Sequence, residues 1–171
     1  VSDARIEFCA ELSHLHDMLS EISFATNNST LRQYSQLLAH LFAERSGRSP
    51  EIAIGHALVT FAYSGIDDQQ QAQHHCDLAT VTAADLQQVD PATAIRVYML
   101  TSLYAADRGS WHQAAAGWSS MAALAVRMGD ADKCDTARLQ LAWSQYNLGE
   151  LENARKSCKR AEVSAEKRGD S

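Results

Sequence analysis

Apolar residues recur along this chain at intervals of three and four, the spacing that places them on one face of an α-helix. The first segment shows the pattern most fully, with Phe8, Leu12, Leu15, Leu19 and Ile22. Turn residues separate this segment from the ones that follow. The pattern predicts eight helices, over about 2–24, 30–46, 50–64, 68–87, 91–108, 110–128, 132–148 and 150–168.

Capping and turn residues mark where these helices begin and end. Ser49 and Asp90 are predicted N-caps, because each precedes a proline that can open a helix, Pro50 or Pro91. The predicted connections are short, so consecutive helices should be antiparallel neighbours. No linker rich in proline, glycine and serine interrupts the chain. We therefore predict one all-α domain over residues 1–171.

The apolar stripe of the first helix has two interpretations. In the first, the stripe packs against the second helix of the same chain. In the second, it pairs with another copy of the chain and forms a homodimer through the end helices. About three and a half turns of stripe are short for a free coiled coil, so we expect the first.

A repeat appears in the second half of each predicted hairpin. Small residues stand at intervals of 42 and 40, at Ala72, Ala114 and Ala154. Equivalent residues follow four positions on, at Cys76, Trp118 and Cys158, and seven positions on, at Ala79, Met121 and Ala161. Such a period is typical of stacked helical hairpins, none of which can bury its apolar face alone.

The repeat resembles the tetratricopeptide repeat (TPR) family. The resemblance rests on small residues at Ser102 and Ala142, turn glycines at Gly109 and Gly149, and alanines at 114, 154 and 161. It is best over residues 93–168 and weaker over 52–88, where Gly65 is two residues out of step. Met121 and Arg138 depart from the pattern, which has a second alanine and a large aromatic residue there.

The period of 40–42 residues is similar to the long-repeat branch found in bacterial signalling proteins. The resemblance implies a right-handed superhelix of antiparallel hairpins. Its repeats would span 50–88, 91–129 and 132–168, and residues 1–48 would form a degenerate or capping hairpin.

In that family the first helix of each repeat lines a concave groove that binds a protein or peptide. Carried over by position, the groove comprises Arg96, Met99, Leu103, Asp107, Thr136, Leu139, Trp143, Tyr146 and Asn147. We expect Trp143 and Tyr146 to contribute most, because exposed aromatic residues dominate binding hot spots. The alternative is that both pack against a further helix. Leu103 and Trp143 stand where carboxylate-clamp members carry asparagine, so we expect an amphipathic helix or an extended apolar peptide as ligand.

A second hypothesis is that the chain is the sensory or regulatory part of a larger signalling or transcription-regulating protein. Many proteins with such long repeats are fused to an output domain. The chain begins with Val1 rather than methionine and stops at Ser171, where another repeat would begin. In this hypothesis the output domain lies beyond Ser171.

Charge argues against direct binding of nucleic acid. The formal net charge is -6, and residues 1–130 hold seven lysines and arginines against fourteen acidic residues. Nucleic-acid binding needs a basic surface, which this acidic body lacks. The basic cluster over 155–160 is interpreted as a solvated helix face, because acidic residues flank it.

The four cysteines predict neither disulfides nor a zinc motif. They stand at positions 9, 76, 134 and 158, without CxxC spacing. Cys76 and Cys158 fall where helices should pack, so we interpret them as small buried apolar residues. Free thiols, together with the lack of an apolar run long enough for a membrane span, favour the cytoplasm.

The seven histidines form no recognisable catalytic or metal motif. His14 and His16 are two positions apart and His74 and His75 are adjacent, so each pair should point to different sides of its helix. We interpret the histidines as structural or surface residues. No HExxH motif or phosphate-binding glycine loop occurs. A Cys76–His75 nucleophile and base would lack a third group. The sequence predicts a non-enzymatic protein without cofactor, metal ligand or catalytic residue.

Overall fold

The computed structural model describes residues 2–169. Over that range it contains eight α-helices and no β-strand. The helices are α1 (Asp3–Ala25), α2 (Ser29–Ser46), α3 (Ser49–Gly65), α4 (Gln69–Leu86), α5 (Pro91–Asp107), α6 (Trp111–Met128), α7 (Ala131–Asn147) and α8 (Leu151–Arg168). The all-α prediction is confirmed, and the predicted helix bounds differ from the observed ones by no more than one residue.

Side-chain caps explain several of these bounds. The carboxylate of Asp90 accepts a hydrogen bond from the Thr93 amide at 3.1 Å, as predicted. Asp130 caps α7 in the same way, accepting from the Lys133 amide at 3.0 Å. The prediction for Ser49 is wrong, because Ser49 is the first residue of α3 and Arg48 holds the N-cap position. Gly109 adopts a left-handed φ of 72°, which ends α5 without a steric penalty.

Contacts divide the chain between Thr93 and Ala94 into two compact units. In the N-terminal unit α1 packs against α2, α2 against α3, and α3 against α4. Helices that are consecutive in sequence are therefore neighbours in space, as the short connections predicted. None of the helices in residues 2–169 combines the length and apolarity needed to cross a membrane.

The face of α1 that packs inward is not the one that carries the apolar stripe. Small and polar residues are buried, and Ser13 donates a hydrogen bond to the carbonyl oxygen of Ala39 on α2 at 3.0 Å. Phe8, Leu15 and Ile22 are exposed instead. The interpretation that the apolar stripe packs on α2 is therefore wrong for these three residues. Small side chains allow the two backbones to approach closely, which the larger stripe does not allow.

In the C-terminal unit α6 packs against α7, and α7 against α8. Its largest fully buried side chain is Trp118 on α6, with Met121 and Leu124 on the same helix also buried. Gly117 of α6 lies against Ser102 of α5, where it leaves no room for a side chain unless Ser102 moves. This close approach uses two small residues, one on each helix.

The repeat positions are buried in all three hairpins with one exception. Ala72, Ala114 and Ala154 are buried, and so are the residues seven positions after them. Of the middle set, Cys76 and Trp118 are buried, but Cys158 is exposed. The prediction of burial is therefore wrong for Cys158, which lines a groove between α7 and α8 instead of filling a core.

Candidate functional site

The predicted partner-binding residues lie on two helices of the C-terminal unit. On α7 all five are exposed: Thr136, Leu139, Trp143, Tyr146 and Asn147. On α5 Leu103 and Asp107 are exposed, whereas Arg96 and Met99 are half-buried. The accessible part of the predicted set is therefore concentrated on α7.

Trp143 and Tyr146 form a stacked pair. Their ring centroids are 5.8 Å apart and the ring planes differ by 17°. The side chains remain accessible, with 55% of Trp143 and 58% of Tyr146 exposed. Leu139, also exposed, precedes Trp143 by one helical turn. The three residues make one apolar row along α7, at the spacing i, i+4 and i+7.

A groove of about 570 Å³ runs between α7 and α8 beside this row. Thr136 and Leu139 line it from α7, and Cys158, Ala161 and Ala165 line it from α8. Acidic residues and Arg168 occupy the same groove and give it a polar part. Two of the predicted residues, Thr136 and Leu139, therefore line a concave surface.

A second candidate site lies in the N-terminal unit, where three histidines from three helices meet. His40 of α2, His56 of α3 and His75 of α4 each offer a ring nitrogen, and these three atoms lie within 4.8 Å of one another. The Nδ1 atoms of His56 and His75 are 2.9 Å apart. Both residues are largely buried, each 9% exposed.

Close helix packing creates this cluster. Gly55 of α3 faces α2, where a Cβ atom would lie 2.9 Å from the Cβ of Ala43 and 3.1 Å from the Cα of His40. Because Gly55 has no side chain, α2 approaches α3 and brings His40 beside His56. On the other side, Tyr63 of α3 stacks on His75 of α4 with centroids 5.3 Å apart.

The surroundings keep the three rings neutral. Burial, followed by repulsion from His75, lowers the pKa of His40 to about 4. Burial, followed by repulsion from His56 and His74, lowers the pKa of His75 to about 4 as well. The pKa of His56 is also lowered, chiefly by burial, although Glu44 opposes that shift. At neutral pH each ring therefore has a nitrogen lone pair available to a ligand.

Spacing within one helix does not predict this cluster. It does correctly predict that His74 and His75 point to different sides of α4, because His74 is exposed and His75 is buried. His40, His56 and His75 are 16 and 19 residues apart, so they share no helix. The available signal was one histidine on each of three consecutive helices. That signal depends on knowing which face of each helix is buried.

Comparison of the chain with known families and with curated proteins finds no match. The functional conclusions therefore rest on the residues and geometry described above.

Proposed function

We propose that this protein is a non-enzymatic, TPR-like interaction module that binds a peptide or helix along α7. The observation that carries the proposal is the stacked, exposed pair Trp143–Tyr146. Exposure of aromatic rings to water is unfavourable in free energy. Their burial at an interface contributes a large contact area and therefore favours binding.

The chemistry of the row suggests the kind of ligand. Leu139, Trp143 and Tyr146 repeat at helical spacing, so they match the apolar ridge of an amphipathic helix or alternate residues of an extended apolar peptide. The acidic residues Asp132 and Glu162 of the adjoining groove already pair with Arg168 and Lys159, so the apolar row carries the recognition. We therefore propose an apolar segment as ligand.

A peptide-display selection against the intact protein tests this proposal. Selected peptides are measured by calorimetry against wild type and the Trp143→Ala/Tyr146→Ala variant. Loss of both rings should weaken binding by more than about 2 kcal/mol. The matched control is Tyr34→Ala/Leu37→Ala, which removes two exposed apolar side chains from α2. Equal affinity for wild type and the α7 variant would remove this surface from the proposal.

A second proposed function, self-association, is supported by the exposed stripe of α1. Phe8, Leu15 and Ile22 are exposed at heptad-like spacing, with Met18 beside them. Large exposed apolar patches often mark interfaces. Sedimentation of wild type and of Leu15→Glu/Ile22→Glu tests this, with His14→Glu on the same helix as the control. We expect wild type and the control variant to form a dimer, and the double variant to remain monomeric. A wild type that stays monomeric at all concentrations contradicts the proposal.

A reducing compartment such as the cytoplasm suits this role. None of the four cysteines forms a disulfide, and Cys9, Cys76 and Cys134 are buried. Burial raises the pKa of the Cys76 thiol to about 11, so it stays protonated and unreactive at neutral pH. These thiols act as small packing groups.

A further inference from the structure

We propose that His40, His56 and His75 form a binding site for a divalent transition-metal ion, zinc in the first place. The inference goes beyond the interaction function and is independent of it. The ion would link α2, α3 and α4, which supply one ligand each. It would therefore cross-link these three helices and stabilise the N-terminal unit.

The distances in the cluster suit such an ion. Zinc binds imidazole nitrogen at about 2.0–2.1 Å, which places ligand nitrogens roughly 3.4 Å apart in a tetrahedron. The three candidate atoms lie within 4.8 Å of one another, and His56 Nδ1 and His75 Nδ1 are 2.9 Å apart. Coordination of one ion requires ring rotations that open the 2.9 Å pair to about 3.4 Å and bring the third nitrogen to the same distance.

Two neutral rings whose Nδ1 atoms face each other need one hydrogen between them. His56 and His75 therefore pair with one Nδ1 as donor and the other as acceptor. For an ion to bind both Nδ1 atoms, the Nδ1 proton of the donor ring moves to Nε2 of the same ring, which frees the lone pair on its Nδ1. No net proton is released, because both rings are neutral before and after binding.

Glu44 is placed to support this arrangement. Its Oε1 lies 3.6 Å from Nε2 of His56, the nitrogen that does not face His75. Metal-binding histidines commonly donate their second N–H to a carboxylate, which orients the ring and increases its basicity. Glu44 would accept that hydrogen bond once the carboxylate closes the gap, and is therefore a positioning residue.

The third ring adds an independent observation. Nδ1 of His40 is buried and has no hydrogen-bond partner among the described residues. A buried polar atom without a partner is unfavourable, and an ion that took Nδ1 of His40 as its third ligand would satisfy it. The lowered pKa values of the rings agree with this, because only neutral imidazole binds a metal.

The donor set indicates the class of ion. Three imidazole nitrogens suit zinc, cobalt, nickel and copper, whereas magnesium and calcium prefer oxygen ligands. Three protein ligands also leave a fourth position, which a water molecule would take.

Equilibrium dialysis of chelator-treated protein against zinc chloride tests the site. We expect one tight zinc ion per chain for wild type. Glu44→Gln removes a supporting residue and should weaken zinc affinity by roughly 10–100-fold. His75→Asn removes a ligand and should weaken zinc affinity by more than that. The matched control is His74→Asn, the adjacent and exposed histidine, which should bind zinc as wild type does. If His75→Asn binds zinc as tightly as His74→Asn, the assignment is wrong.

A measurement on wild type alone keeps the proposal testable if the variants fold poorly. Long-range ¹H–¹⁵N spectra resolve individual histidine rings, and one equivalent of zinc should shift those of His40, His56 and His75. Shifts confined to the exposed rings of His14, His74 and His112 would identify adventitious surface binding and overturn the proposal. Zinc should also raise the melting temperature of the protein, and a chelator should reverse that rise.

Discussion

Arg168 on α8 donates a hydrogen bond to Asp135 on α7, with 2.7 Å between Nη1 and Oδ2. Arg138 donates to the other carboxylate oxygen of Asp135 at 3.2 Å. Asp135 is buried, so two guanidinium groups satisfy a charge that would otherwise be costly in this position. The ion pair links α7 to α8 at one end of the groove between them.

Replacement of this carboxylate should destabilise the protein. Asp135→Asn leaves Arg168 and Arg138 without their common anion, and we expect a loss of about 1–3 kcal/mol in the free energy of unfolding. Asp132→Asn is the matched control, because Asp132 lies 3.5 Å from the same Arg168 but its side chain is 88% exposed. Urea denaturation followed by circular dichroism measures both. Equal losses would show that burial of Asp135 is unimportant.

The same ion pair should make stability depend on pH. Burial raises the pKa of Asp135, but hydrogen bonds from Arg168, Ser164 and Arg138 and the charge of Arg168 outweigh it, so the pKa is lowered. The carboxylate therefore stabilises the folded state above its unfolded pKa of about 3.9, and this contribution is lost as pH falls through the folded value. The stability difference between wild type and Asp135→Asn should be constant from pH 7 to 5 and shrink at lower pH. A difference that persists unchanged at pH 2 would contradict this.

Local signals were enough to predict the helices. Prolines, glycines and capping acids such as Asp90 and Asp130 act within a few residues, so the bounds could be read from the chain. Which face of a helix is buried depends on its neighbours. In α1 the large residues Phe8 and Leu15 suggested an inward face, but close packing on α2 selected the small residues instead.

The candidate sites differ in the same way. The exposed row on α7 could be anticipated, because the resemblance to TPR repeats implied that Trp143 and Tyr146 lie on the accessible face of one helix. The histidine cluster could not, since it depends on the buried faces of three helices and on a close approach at Gly55. Spacing in one sequence does not contain that information.

Gly55 is predicted to be essential for the contact of α2 with α3. In Gly55→Ala the new methyl group meets the Cβ of Ala43 and the backbone of His40, neither of which can rotate away. Overpacking of this kind costs about 1–3 kcal/mol, against a gain of about 1 kcal/mol in helix propensity. We expect a net loss of up to about 2 kcal/mol in the free energy of unfolding. Gly65→Ala, at the end of the same helix, is the control, because the three atoms nearest to its methyl group all belong to the flexible Gln33 side chain. A loss in Gly65→Ala equal to that in Gly55→Ala would contradict the explanation.

The two tryptophans Trp118 and Trp143 should separate folding from binding. Trp118 on α6 is 1% exposed, so Trp118→Ala leaves a large cavity and should cost about 3–5 kcal/mol in the free energy of unfolding. Trp143 on α7 is mostly exposed, so the same substitution there should change stability by no more than about 0.5 kcal/mol. Urea denaturation followed by circular dichroism at 222 nm compares the variants without relying on tryptophan fluorescence.

Peptide binding should follow the opposite order. Under conditions where Trp118→Ala is still folded, it should bind the selected peptide as wild type does, whereas Trp143→Ala should bind it more weakly. A large loss of stability in Trp143→Ala would mean that its ring supports the fold. In that case a role in stability would explain the presence of Trp143 and Tyr146, and their exposure would no longer support a binding interface on α7.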